Sequence, residues 1–124
     1  MAKGSVAERL ARVAKKQTIR LTHHGRKSGK PYEVTIWFLV DGATVYLATM
    51  NMKRQWTRNV QVRPDVELKV AGEAFSGNVT VVTDADEMAK VVALVKRKYW
   101  FVRPFLRFRG PDGAFRVDVE NDAP

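Results

Sequence analysis

The Asp41-Gly42 dipeptide constrains this chain more than any other pair of residues. It parts two runs, 32–40 and 44–49, that are rich in β-branched and aromatic side chains. Aspartate and glycine tolerate the left-handed backbone of a tight hairpin, so the two runs should fold back on each other as antiparallel strands. A second hairpin is predicted across Ala71-Gly72, joining 66–70 to 73–82. A strand over 18–22 precedes both hairpins. A last strand, 114–119, follows a turn at 110–113 and puts Phe115, Val117 and Val119 on one side.

Helices are fewer. Residues 5–16 read as an amphipathic helix with Val6, Leu10 and Val13 at helical spacing. Residues 50–63 break the strand pattern and hold a short helix before Pro64. Asp84, Asp86 and Glu87 open a third helix, whose apolar stripe is Met88, Val91, Val92, Val95 and Tyr99. Acids at its start and Lys96, Arg97 and Lys98 at its end both favour the helix dipole. The acidic cluster therefore reads as a helix start, not as a catalytic carboxylate set. The pattern is mainly β: one domain over 1–124, with 1–16 as an N-terminal helical extension. About six or seven antiparallel strands should make a small, partly open barrel.

Composition removes several chemistries. There is no cysteine, hence no disulfide, thiolate nucleophile or zinc-thiolate centre. The two histidines, His23 and His24, are adjacent and would face opposite ways on a strand, so no metal site is expected. The first sixteen residues lack the apolar run of a signal peptide, and the apolar runs 36–40 and 91–95 are too short to cross a bilayer. A cytoplasmic protein is expected. A net charge of +9 on 124 residues implies attraction to anions: a polyanionic small molecule, nucleic acid or anionic lipid. The charge is scattered, which disfavours a disordered nucleic-acid arm.

Two segments concentrate that charge. In Gly25-Arg26-Lys27-Ser28-Gly29, glycines bracket two cations and a hydroxyl, and Lys30 follows. A planar guanidinium fork, a mobile ammonium and a short hydroxyl together suit a phosphate or several carboxylates. The spacing is not that of a Walker A loop. The other segment, 98–109, interleaves Tyr99, Trp100, Phe101, Phe105 and Phe108 with Arg103, Arg107 and Arg109. It could stack bases, lie on a membrane interface, or close a hydrophobic pocket or a homodimer seam.

Gly25-Arg26-Lys27-Ser28-Gly29, the hairpin at Asp41-Gly42, and Trp56, Asn59 and Pro64 ahead of 66–70 together resemble the deazaflavin (F420)-dependent nitroreductase family. That family belongs to the flavin/deazaflavin-binding split β-barrel superfamily. The resemblance runs over about 19–82 and implies an FMN-binding-like split barrel. It also implies an oxidoreductase that uses coenzyme F420, with FMN as the alternative cofactor. By the same resemblance Arg26, Lys27, Ser28, Gly29 and Lys30 would hold the cofactor's phosphate and acidic tail. Thr49, Met50 and Asn51 would meet the deazaflavin ring, with Lys53, Trp56, Arg58 and Asn59 beside it. The chain departs from the family pattern at 50–55, which has methionines and neither the glycine nor the proline common there.

Tyr46, Tyr99 and Trp100 are candidate substrate-pocket residues, as hydrogen-bond donors or an aromatic wall. The reaction expected is hydride transfer to a small hydrophobic acceptor, a quinone or a nitroaromatic. Specific nucleic-acid binding is not expected on this reading, and peripheral membrane association remains open. The rival reading is a non-enzymatic basic module for nucleic acid or anionic membrane. Trp56 and Asn59, one helical turn apart, also admit a plainer role as a core aromatic and a structural amide.

Overall fold

Strand alternation decides what each face meets. In β4 (Asp65–Val70), Val66, Leu68 and Val70 are buried while the residues between them are exposed. The same alternation runs through β5 (Glu73–Val81), where Phe75 and Val79 turn inward. With β1 (Thr18–His24), β2 (Pro31–Asp41), β3 (Thr44–Thr49) and β6 (Gly113–Val119), these strands close a barrel in the order β1-β2-β3-β6-β5-β4. Every pairing is antiparallel. This computed structural model describes residues 4–100 and 111–120.

Three helices pack on the barrel among the described residues: α1 (Val6–Val13), α2 (Gln55–Val62) and α3 (Ala85–Lys98). Ser5 caps α1 in a reciprocal box with Glu8, and Val6, Leu10 and Val13 join the barrel core. Arg9 is buried against the Phe75 ring and donates to Glu73, 2.9 Å away, which ties α1 to the β4–β5 end. Trp56 and Val60 bring α2 into the same core, where Trp56 packs on Phe115 with ring centres 5.4 Å apart. α3 lies outside, and its Val91 and Val95, with Tyr99 just beyond its end, cover Leu39, Tyr46 and Ala114.

The barrel is mainly β and antiparallel, as the turn pattern implies, but it is closed where a partly open one was expected. Closure comes from pairings distant in sequence: β6 lies between β3 and β5, and Leu21 of β1 pairs with Leu68 of β4. β1 also runs two residues past the predicted end, because His23 and His24 pair with Tyr32 and Pro31.

A local opening positions the site. β2 pairs with β1 from Pro31 to Trp37, then with β3 from Phe38 to Asp41. Among the described residues, the first half of β2 therefore has one edge without a strand partner.

Candidate functional site

The basic loop is a closed turn bolted to a helix. The Gly25 amide donates to the Lys30 carbonyl at 2.9 Å, and the Gly29 amide to the Gly25 carbonyl at 2.8 Å. Gly29 takes φ 73°, a left-handed conformation that favours glycine. A side chain at position 25 would strike the Ser28 hydroxyl. Asn59 of α2 holds this turn in place. Its carboxamide oxygen accepts from the Arg26 amide at 3.1 Å and from Arg26 Nη1 at 2.8 Å. Arg26 Nη1 also donates to Gln55 Oε1 at 2.9 Å. Asn59 Nδ2 in turn meets His23 Nδ1 at 3.1 Å. Burial, then the neighbouring His24, push the His23 imidazole below its ordinary pKa, which keeps the ring neutral.

A cavity of about 640 Å³ opens beside this assembly, bordered by His23, Arg26, Lys27 and Ser28 on one side and Arg54, Gln55, Trp56 and Asn59 on the other. Tyr32 and Val34 of β2 form its floor. A second cavity of about 250 Å³ occupies the split between β2 and β3, against Ile36, Trp37, Ala48, Thr49, Met50 and Val95. The two share Val34, Arg54 and Trp56 as a common border. A cationic recess thus adjoins an apolar slot that runs along the unpaired edge of β2.

The expected residues fall into three groups. Arg26, Lys27, Ser28, Trp56 and Asn59 border the larger cavity, and Thr49 and Met50 border the slot. Arg26 and Asn59 spend part of their hydrogen-bonding capacity on holding the loop, and Trp56 is also core. Gly29, Lys30, Asn51, Lys53 and Arg58 border neither cavity. Asn51 instead shapes the chain after β3, accepting from the Lys53 amide at 2.8 Å. Asp112 fixes the next step by accepting from the Met52 amide at 2.7 Å.

Tyr46 and Tyr99, expected at the substrate, border neither of these cavities. Tyr46 is buried under α3 and donates to Glu87 at 2.9 Å, while Glu87 accepts from Arg116. Tyr99 stacks flat on Trp37, ring centres 4.1 Å apart, and donates to the Gln17 carbonyl at 2.6 Å. Burial pushes its phenol up to about 12. The α3 apolar stripe must be satisfied against the barrel's outer face, and these rings do it. Trp100 is exposed and borders neither cavity. The rest of the aromatic-arginine segment, 101–109, lies outside the described residues. Lys98 is half-buried over the Phe38 ring and donates to the Phe38 carbonyl at 2.8 Å; burial pulls its ammonium down to about 8.

Sequence reasoning missed His23, Tyr32, Val34, Arg54 and Gln55. Arg54 precedes α2, borders both cavities and makes no side-chain hydrogen bond that caps the helix. In the sequence His23 suggests only a metal ligand, and a poor one. Its place one strand step before the glycine-framed turn was the available signal. Among the described residues no three His, Asp or Glu side chains gather as a metal site, and no helix is long and apolar enough to cross a membrane.

The closed antiparallel barrel, with the unpaired edge of β2 among the described residues, is a split β-barrel. The chain belongs to the F420H(2)-dependent quinone reductase family, whose pattern it matches over residues 1–101. It is an F420-dependent oxidoreductase. No curated protein matches it significantly. Among solved structures it is similar to an F420-H2 dependent reductase, FDR-A, at 14% identity and a TM-score of 0.63, over 82% of this chain and 94% of that one. It is also similar to the heme storage protein HutZ from Vibrio cholerae, at 13% identity and a TM-score of 0.72, over 96% and 93% of the two chains. A putative pyridoxamine 5'-phosphate oxidase from Listeria innocua shares the fold at 14% identity and a TM-score of 0.68, over 95% and 94%. At such identities the likeness shows the fold alone.

Proposed function

We propose that the chain transfers a hydride between F420 and a small, flat, hydrophobic acceptor such as a quinone or a nitroaromatic, and that the cleft between the basic loop and the β2–β3 split is where this happens. The observation that carries the reading is the adjacency of a cationic recess to an apolar slot. An anionic tail and a planar ring need those two environments side by side, and the larger cavity lies within the usual size for cofactor sites.

The residues present fit such a cofactor. Lys27, Ser28, Arg54 and the remaining donors of Arg26 would take the phosphodiester and carboxylates through charge-assisted bonds. The first residues of α2 border the same recess, where a helix start favours negative charge. The slot between Ile36 and Ala48 would take the ring, and the unpaired edge of β2 and the chain at Thr49 and Met50 would offer backbone groups to its polar rim. When bound, the reduced deazaflavin supplies the hydride, and no side-chain nucleophile is needed. The protein's part is to hold the two reactants face to face and to keep water out with Val34, Trp56 and Met50. Met50 is exposed at the slot and flexible, which suits an adaptable contact with a flat acceptor.

The test is a titration with F420 and FMN side by side, followed by oxidation of the reduced cofactor against a small acceptor panel. Micromolar or tighter F420 binding with turnover on a quinone is the expected result. FMN binding in place of F420 would move the protein to the flavin branch. Binding of neither, with retention on nucleic acid or anionic vesicles that falls steeply with salt, would favour the basic module instead.

A further inference from the structure

The geometry points to His23 as a positioning residue that couples the grip of the basic turn, residues 25–30, on an anionic ligand to proton uptake. The hydrogen-bond chain on α2 has only one consistent arrangement. Asn59 Oδ1 faces two donors, the Arg26 amide and Arg26 Nη1. Turning the carboxamide over would set its NH2 against both. Its Nδ2 must therefore donate to His23 Nδ1, which leaves the imidazole proton on Nε2. A second proton can enter only at Nδ1, and it would then confront Asn59 Nδ2 donor to donor across 3.1 Å. Relief by turning Asn59 breaks both bonds to Arg26. Protonation of His23 therefore works against the docked turn. The role rests on the proposed cofactor cleft only for the identity of the ligand; the coupling itself is a property of the protein alone.

Few groups around His23 could produce such a response in its place. His24 is its neighbour on β1, and Tyr32 of β2 stacks on it with ring centres 5.8 Å apart. Arg26 and Lys27 of the turn and Arg54 before α2 share its cavity. Asp65 of β4 lies 3.6 Å from His24 Nδ1. The burial that holds His23 below its ordinary 6.5 agrees with a docked turn that resists protonation. Simple electrostatics predicts the opposite sign, because a cationic His23 would strengthen anion binding in acid.

Two measurements test this. In the free protein, the amide resonance of Arg26 and the ring nitrogens of His23 are followed by NMR from about pH 8 to about pH 5. The two should titrate together, with the neutral ring as the Nε2–H tautomer. A His23 that titrates while the Arg26 amide stays still, or a neutral ring protonated on Nδ1, would overturn the inference whether or not F420 binds. The second measurement is F420 affinity at about pH 7.5 and about pH 5.5 in the wild type, His23→Asn and His24→Asn. Asn at position 23 sets an acceptor near the Nδ1 position and cannot titrate. Protonation of F420 itself is common to all three proteins and cancels in their ratios. The wild type and His24→Asn should lose affinity in acid by several-fold to about tenfold more than His23→Asn does. Equal losses, or tighter wild-type binding in acid, would refute the coupling. If His23→Asn fails to fold, the wild-type NMR titration decides alone.

Discussion

Under α3, Tyr46 donates to Glu87, Glu87 accepts from Arg116, and Tyr99 lies flat on Trp37. Beside α2, Arg26, Asn59 and His23 form a chain of the same kind, but it borders a cavity of about 640 Å³. Both regions join a helix to the barrel through aromatic rings and charge-assisted bonds. They differ in what lies beyond. α3 covers the barrel's outer face with its apolar stripe, and Tyr46, Glu87, Arg116 and Tyr99 there bond to one another or to the backbone. α2 packs on β1 and β5, and its Gln55 and Asn59 border the cavity beside β2, so part of its polar equipment is left facing an opening. Residue type alone does not separate a binding cluster from a structural one. The supply of pairing partners around it does.

That contrast predicts mutational effects of different kinds. The largest is on stability. Tyr99→Ala empties a fully buried site and should cost ~3–5 kcal/mol in urea unfolding, while the folded fraction loses less F420 affinity than Asn59→Ala does, the loss coming only through Trp37 at the slot. A loss of affinity per folded molecule at unchanged stability would reverse the roles assigned to the two regions. Asn59→Ala should act on both properties. It strips the turn of its anchor, with a stability loss of ~1–3 kcal/mol and a drop in F420 affinity of about tenfold or more. Unchanged F420 affinity in that variant would show that the docked turn is not needed.

Lys27→Ala separates the two properties. Lys27 is exposed and borders the cavity, so its loss should weaken F420 binding by roughly tenfold, with no measurable change in melting temperature. Arg26 is a poorer probe, because its guanidinium also carries the turn's link to Gln55 and Asn59. The smallest effect belongs to Glu87→Gln. Donation from Tyr46, then from Arg116, holds the Glu87 carboxyl below its ordinary 4.5. Its folded-state pKa is depressed, so its contribution is present above 4.5 and fades as pH falls through the folded value. The variant should lose at most about 1 kcal/mol near neutrality. That difference should vanish in acid, and F420 binding should not change. A growing difference at low pH would contradict the sign.

Much of this was legible in the sequence because it is local. Asp41-Gly42 and Ala71-Gly72 set their hairpins within a few residues, and Ser5 and Asp84 announce helix starts by side chains that reach only three residues ahead. Residues 25–29 announced the basic turn for the same reason. Closure of the barrel was not legible, since it depends on β6 entering between β3 and β5, far away in sequence. That Tyr46 and Tyr99 would be buried and border neither cavity was not legible, because a phenol reads the same whether it faces an opening or a neighbouring carboxylate. Arg54 and His23 were missed because two segments distant in sequence meet at the cavity they border, and neither segment carries that information by itself.

Everything proposed for the two regions turns on whether the cleft beside α2, and not the wall under α3, receives F420. Mapping backbone amide shifts during an F420 titration of the isotope-labelled protein answers this without any mutation. Perturbations should concentrate at Arg26, Lys27, Ser28, Val34, Ile36, Met50, Arg54 and Trp56, with Tyr46, Glu87 and Arg116 unmoved. Perturbations centred on Tyr46, Glu87 and Arg116, or none at saturating F420, would contradict a cofactor cleft beside α2.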